Sequence, residues 1–203
     1  MKVGVLALQG DVREHIDSLL TCEVDALPVR RASEIESIDA LVLPGGESTT
    51  IAQLAEVFGI FELIKNKIQN GLPVYGSCAG MILLADQILD AKQGQKTFGG
   101  LDITVRRNAF GRQVDSFETD LKFKGITDPA IRAVFIRAPW VESVGSSVEV
   151  LAEVIDESGT KHPVAVRSGN LLATSFHPEL TGDNRVHKFF VENICRQLAS
   201  SKG

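Results

Sequence analysis

The sequence predicts an α/β fold: an open, mainly parallel sheet flanked by helices, with an antiparallel extension. Three observations carry this. Strand-like and helix-like patterns alternate through the first half of the chain. Val3–Leu8 is a near-continuous apolar run, as a strand covered on both faces requires. In the second half, short strand signals follow one another between Gly, Asn, Asp and Ser.

The elements read in order as follows. After Val3–Leu8, Asp11–Leu20 has helical spacing, with Val12, Ile16, Leu19 and Leu20 sharing a face. Ala26–Val29 and Ala40–Leu43 are the next strands, the latter ended by Pro44-Gly45-Gly46. Helical periodicity from Ser48 to about Asn70 breaks near Gly59. Leu72–Tyr75 is a strand and Cys78–Leu89 reads as a helix. Strand and helix in alternation imply right-handed crossovers between parallel strands. The later strands are Leu101–Val105, Phe117–Phe123, Ala133–Ile136, Val148–Val154, Pro163–Arg167 and Leu171–Phe176. Asn184–Leu198 closes as a helix with Val186, Phe189, Phe190, Ile194 and Leu198 near one stripe. With no internal repeat, low-complexity tract or linker, residues 1–203 read as one domain.

Composition narrows the function classes. With 44% hydrophobic and 23% charged residues, the chain suits a soluble globular protein. A formal charge of −5 disfavours a phosphate-binding surface, so no nucleic-acid partner is expected. No apolar run approaches the ~20 residues that span a bilayer, so no membrane partner is expected either. The N-terminal MKVGVLALQG reads as a core strand rather than a signal peptide. Three cysteines, Cys22, Cys78 and Cys195, make no disulfide framework and fit a reducing, cytoplasmic setting. His15, His162, His177 and His187 show no metal-type clustering with them, and nothing calls for a cofactor. His15 and His187 on helices, and His162 in a turn, are expected at the surface.

Tyr75-Gly76-Ser77-Cys78-Ala79-Gly80 is the most informative segment. It leaves a strand and opens a helix, and Gly-x-Cys-x-Gly is the cysteine form of a nucleophile elbow. Small flanking residues permit a sharp turn in a strained backbone conformation with neighbouring chain close by. The helix N-terminus favours thiolate. The Ala79 amide can donate to an oxyanion. A free cysteine is most often a small buried hydrophobe. Cys22 and Cys195 keep that reading; the flanking glycines set Cys78 apart.

Ser175-Phe176-His177-Pro178-Glu179 supplies a base and its orienter. In extended chain, positions two apart project to the same side, with Pro178 holding the backbone extended. Glu179 can therefore fix the tautomer of His177, leaving the other nitrogen for a thiol proton. Alone, His-Pro-Glu usually means a solvated loop. Both Cys78 and His177 lie at strand ends, however, and in an open α/β sheet these converge where ligands bind.

Pro44-Gly45-Gly46-Glu47-Ser48 joins a strand to a helix. Its glycines could cradle phosphate, but it lacks the P-loop lysine and dinucleotide spacing. Gly46 could instead give the second oxyanion amide opposite Ala79. A tight turn with Ser48 as helix cap is compatible with that role.

Gly-Gly-Glu, Gly-x-Cys-x-Gly and His-Pro-Glu, in that order, resemble the class I (triad) glutamine amidotransferases, which have a flavodoxin-like sheet. Further segments narrow the match: Leu8-Gln9-Gly10 with Arg13-Glu14-His15, Leu43–Thr50, Arg107-Asn108-x-Phe110-Gly111-Arg112-Gln113-x-Asp115-Ser116-Phe117, Phe135–Pro139 and Ser175–Leu180. Together they resemble the glutaminase subunit of pyridoxal 5′-phosphate synthase across nearly the whole chain, with no departure in the motifs. Asn-x-Phe-Gly-Arg-Gln is the most specific stretch. The resemblance says nothing of Trp140 or Asp90–Gly99. It implies Cys78 as nucleophile, His177 as base and Glu179 as orienter. Gly46, Glu47, Ser48, Arg107, Ile136 and Arg137 would line an L-glutamine pocket. An arginine fork suits the substrate carboxylate and Glu47 its ammonium; which arginine meets the carboxylate stays open. Gln9 to His15 would serve a partner interface or the fold, as would the Arg112 region. It also implies a separate synthase subunit that receives the ammonia in a large hetero-oligomer. A cysteine hydrolase of γ-glutamyl compounds or peptides, a non-catalytic redox sensor with an exposed cysteine, or a small-ligand binding module are the competing readings.

Overall fold

The protein is described from a computed structural model covering residues 1–91, 93–107, 116–156 and 158–201, the side chains of 199–201 apart. The elements are β1 (Lys2–Leu6), α1 (Val12–Leu20), β2 (Asp25–Val29), α2 (Ala32–Glu36), β3 (Ala40–Leu43), α3 (Ser48–Val57), α4 (Phe61–Gln69), β4 (Val74–Ser77), α5 (Ala79–Leu84), β5 (Ala85–Leu89), β6 (Leu101–Arg106), β7 (Ser116–Leu121), β8 (Ile131–Ile136), β9 (Trp140–Val144), β10 (Glu149–Ile155), β11 (Lys161–Ser168), β12 (Leu171–Thr174), α6 (Arg185–Phe190) and α7 (Arg196–Ser201). A 3₁₀ turn spans Pro178–Leu180, and a π-helical segment, Val191–Cys195, joins α6 to α7. No helix among the described residues is long and apolar enough to cross a membrane.

The main sheet has seven strands in the order β10-β11-β12-β4-β3-β1-β2. From β12 to β2 every pairing is parallel, and β10 and β11 add antiparallel strands at one edge. The predicted sheet and its extension are both present. The remaining second-half strands leave the sheet: β5, β6 and β9 form one small sheet, and β7 and β8 a hairpin.

Both faces of the main sheet are covered, which explains the unbroken apolar strands. Leu41 and Leu43 of β3 face one core with α3, α4 and α5; Ala40 and Val42 face another with α1, α6 and the β7–β8 hairpin. Successive strand residues point to opposite faces, so one short run supplies both cores.

Three expectations are corrected. The helix beginning after Cys78 ends at Leu84, because Ala85 turns to extended backbone and Ala85–Leu89 pairs with β6. A short apolar run suits helix or strand, and this pairing decides it. Leu20 is 54% exposed, whereas His15, Ser18 and Leu19 are the buried positions of α1. Finally, α2 and β9 form where no element was expected. Glu34 Oε2 accepts from the amides of Arg30 and Arg31, closing the start of α2.

Candidate active site

Four adjacent parallel strands, β12, β4, β3 and β1, end on one edge of the sheet. The chain leaves β1 toward α1 and β2 on one side, and reaches β3 and β4 on the other. Such a reversal opens a crevice beyond the strand ends. A cleft of about 520 Å³ lies there, lined by Gln9, Asp11, Gly46, Glu47, Ser48, Cys78, Ala79, Ile82, Arg107, Ile136, Arg137, His177 and Leu180. Every predicted site residue except the buried Glu179 is on that wall.

Cys78 sits between β4 and α5 with φ +48° and ψ −99°, a strained conformation for a residue with a Cβ. The flanking glycines make the turn sterically possible. A Cβ on Gly76 would lie 2.5 Å from the Gly80 carbonyl, and one on Gly80 would lie 2.2 Å from the Leu43 oxygen. The Cys78 amide is pinned to the Thr174 carbonyl at 2.8 Å. Its sulfur is 3.9 Å from the Ile136 oxygen. Ala79, the first residue of α5, has an amide with no partner within its own helix.

His177 follows β12, its amide held by the Val134 carbonyl at 2.9 Å. Its Nδ1–H donates to Glu179 Oε1 at 2.7 Å, and Asp11 Oδ2 is 3.4 Å from the same nitrogen. Cys78 and His177 line the same cleft. Burial works against a charge on His177, but its neighbours Asp11, Cys78 and Glu179 outweigh that and raise its pKa far above the ordinary histidine value. Burial likewise opposes charge on Glu179, yet His15 and His177 outweigh it and hold the carboxyl well below the usual range. The Ser77 hydroxyl adds a donor 3.3 Å from Glu179 Oε2. Glu179 does not reach His177 along extended chain: the 3₁₀ turn at Pro178–Leu180 folds it back. This is a correction of the route, with the same two residues meeting.

One comparison decides the lineage. The profile of the SNO glutamine amidotransferase family matches residues 5–196. The chain belongs to that family. It is 60% identical over 202 residues to the pyridoxal 5′-phosphate synthase subunit PdxT of Parafrankia sp. (strain EAN1pec), covering 100% of this chain and 97% of the relative. The PdxT subunit of Nocardia farcinica (strain IFM 10152) is 58% identical over 192 residues, covering 95% and 85%. A crystal structure of a glutamine amidotransferase superposes with a TM-score of 0.85 at 46% identity, covering 94% of this chain and 97% of its own. The chain is an enzyme that hydrolyses glutamine.

The other end of this amidotransferase cleft is polar. Glu47, not Ser48, caps α3: its Oε2 accepts from the Thr50 amide at 2.8 Å. Oε1 of Glu47 pairs with Arg107 Nη2 at 3.0 Å. Arg107 also donates to Gln95 Oε1 at 2.6 Å, and Gln95 donates to Ser48 Oγ at 3.1 Å. Arg137 stands next to Ile136 with φ +44°, a bend that turns both residues toward the cleft mouth. Gly46 has φ +149°, and a Cβ there would lie 2.5 Å from Gln9 Oε1, which accepts from the Glu47 amide at 2.7 Å.

Sequence reasoning missed several neighbours. Asp11 and Ser77 carried no signal beyond lying beside motifs. Gln95 comes from a segment on which the family resemblance is silent. His15 and His187 are fully buried, not at the surface as expected, and His162 lies on β11 stacked 3.7 Å from Trp140. The stretch 108–115, which carries most of the Asn-x-Phe-Gly-Arg-Gln motif and the Arg112 region, lies outside the described residues.

Proposed function

We propose that residues 1–203 act as one glutaminase domain that supplies ammonia to a pyridoxal 5′-phosphate synthase. The thiolate of Cys78 attacks the carboxamide carbon of L-glutamine. The Gly46 and Ala79 amides stabilise the oxyanion. His177, as imidazolium, gives a proton to the departing nitrogen, so ammonia leaves and a γ-glutamyl thioester remains. Water then adds to the thioester with His177 as base, releasing L-glutamate and the thiol. Glu179 keeps the imidazole oriented throughout. Glu47 and Ser48 hold the substrate's amino-acid end with Arg107, Ile136 and Arg137. The Arg107–Glu47 pair parts to accept the substrate's opposite charges.

The observation that carries this reading is that Cys78 and a Glu179-backed imidazole line one cleft. The closeness to PdxT subunits supports the synthase as recipient. The acceptor subunit is a separate chain, assembled with this one in a large hetero-oligomer in the cytoplasm. Rotation of the Gly45-Gly46 peptide completes the oxyanion hole when the synthase docks.

The test is glutamine hydrolysis measured with and without the synthase subunit, on the native protein and on Cys78→Ala. Activity that rises with the synthase and vanishes in the variant supports the reading. Equal rates with and without the synthase remove the coupling. Native turnover by Cys78→Ala removes the nucleophile.

A further inference from the structure

A pair of buried histidines stands behind the triad. His15 of α1 and His187 of α6 are both 0% exposed. His15 Nδ1 and His187 Nε2 are 2.9 Å apart, and His15 Nε2 lies 3.4 Å from Glu179 Oε1, the oxygen that receives His177 Nδ1–H. Tyr75 meets both rings edge-on, at 6.0 and 5.6 Å. Two imidazoles in a core cost free energy that leucines would not, unless their polar atoms are used.

His15 Nε2 is buried and makes no hydrogen bond among the described residues, and the nearest charge to it is the Glu179 carboxylate at 3.4 Å. A carboxylate only accepts, so a proton on that nitrogen is what the contact calls for. The 2.9 Å contact between His15 Nδ1 and His187 Nε2 ties the two rings together. His187 Nδ1 is likewise buried and makes no hydrogen bond among the described residues. Burial and neighbouring His15 push the pKa of His187 down to about 3, which keeps this ring neutral.

We propose that His15, fixed in turn by His187, is a positioning residue for the glutaminase reaction, setting a second imidazole nitrogen against the carboxylate oxygen that orients His177. The proposal rests on the roles given above to Cys78, His177 and Glu179. His15 touches no substrate and acts through Glu179 alone. The titratable groups facing it are Glu179 from the 3₁₀ turn, His187 from α6, Tyr75 from β4 and Asp11 one turn earlier, with His177 beyond the carboxylate. A carboxylate that loses a donor is harder to ionise. Without His15, Glu179 therefore takes up a proton at higher pH, and the acid limb of the rate profile moves upward.

The experiment compares native protein, His15→Phe, His15→Gln, His187→Phe and the double Phe variant, all with the synthase subunit present. The readouts are kcat, KM and the pH dependence of kcat/KM for glutamine, with near-UV circular dichroism as the check of packing. Expected for His15→Phe is a fall in kcat of about tenfold, KM within about twofold, and an acid limb higher by up to about one unit. His15→Gln keeps an N–H donor and recovers most of the rate. His187→Phe loses less, and adding it to His15→Phe costs nothing further, because it acts only through His15. If His15→Phe does not fold, His15→Gln against His15→Asn decides: Asn is too short to reach Glu179, so equal rates overturn the proposal. A folded His15→Phe with native kcat and an unmoved acid limb also overturns it, as does a Gln variant no better than Phe. Cys78→Ala in the same assay separates the two readings. If it is inactive while His15→Phe is normal, only the positioning role fails; if it is active, the triad fails as well.

Discussion

The two ends of the cleft are built differently. At the chemical end, Cys78, His177 and Glu179 are buried; backbone amides pin the first two, and the His177 ring and the Ser77 hydroxyl hold the third. At the polar end, Glu47 and Arg107 keep 40% and 12% of their side-chain surface and pair with each other. The buried end resists rearrangement because its packing is close and its polar atoms have few alternatives. The open end trades partners at small cost, since water can serve any group left over. Under the proposed function, chemistry falls where geometry is fixed, and selection where charges can be exchanged.

If that division is right, substitutions at the two ends break different constants. The largest effect is expected at the buried end: Glu179→Gln removes the carboxylate charge and should cut kcat by about 10³–10⁴-fold with little change in KM. Steady-state kinetics with the synthase present checks this. A loss appearing chiefly in KM would blur the distinction. At the open end, Arg107→Ala should raise KM for glutamine by about 10- to 100-fold, the worth of one charge-assisted contact, and leave kcat within a few fold. Next comes stability. His187 is held neutral by burial, with its pKa lowered to about 3 from the 6.5 of a free histidine. In that window the unfolded chain binds the extra proton, so stability falls as pH falls. The His187 share should be about 2 kcal/mol between pH 6.5 and pH 5. Urea unfolding at the two pH values checks it, and His187→Phe should flatten the slope by that amount. The smallest effect belongs to Gln95→Ala, which frees Arg107 and Ser48 of one neutral partner and should change KM by about threefold or less.

The same contrast governs what could be read from the sequence. The elbow was legible because a strained turn against crowded backbone demands glycine on both sides of Cys78. The parallel sheet was legible because strands buried on both faces are apolar throughout. His15 and His187 were not legible. A histidine on a helix gives no sign that its partner is another histidine 172 positions away. Glu47 was read as a substrate contact but not as the cap of α3, since Ser48 beside it is the commoner capping type. The switch from helix to strand at Ala85 depends on pairing with β6, a long-range choice that local periodicity does not encode. Gln95 needed the fold itself to bring its segment over Ser48.

The contacts around Pro44 have a practical bearing on how this enzyme could be tuned. Leu43 is wedged against the elbow at Gly80, and a Cβ on Gly45 would lie 2.3 Å from His177 Cε1. Those two close approaches hold the end of β3 and the start of its loop between the elbow and the imidazole. One added methyl at position 45 would act as a shim, displacing the base without touching the nucleophile.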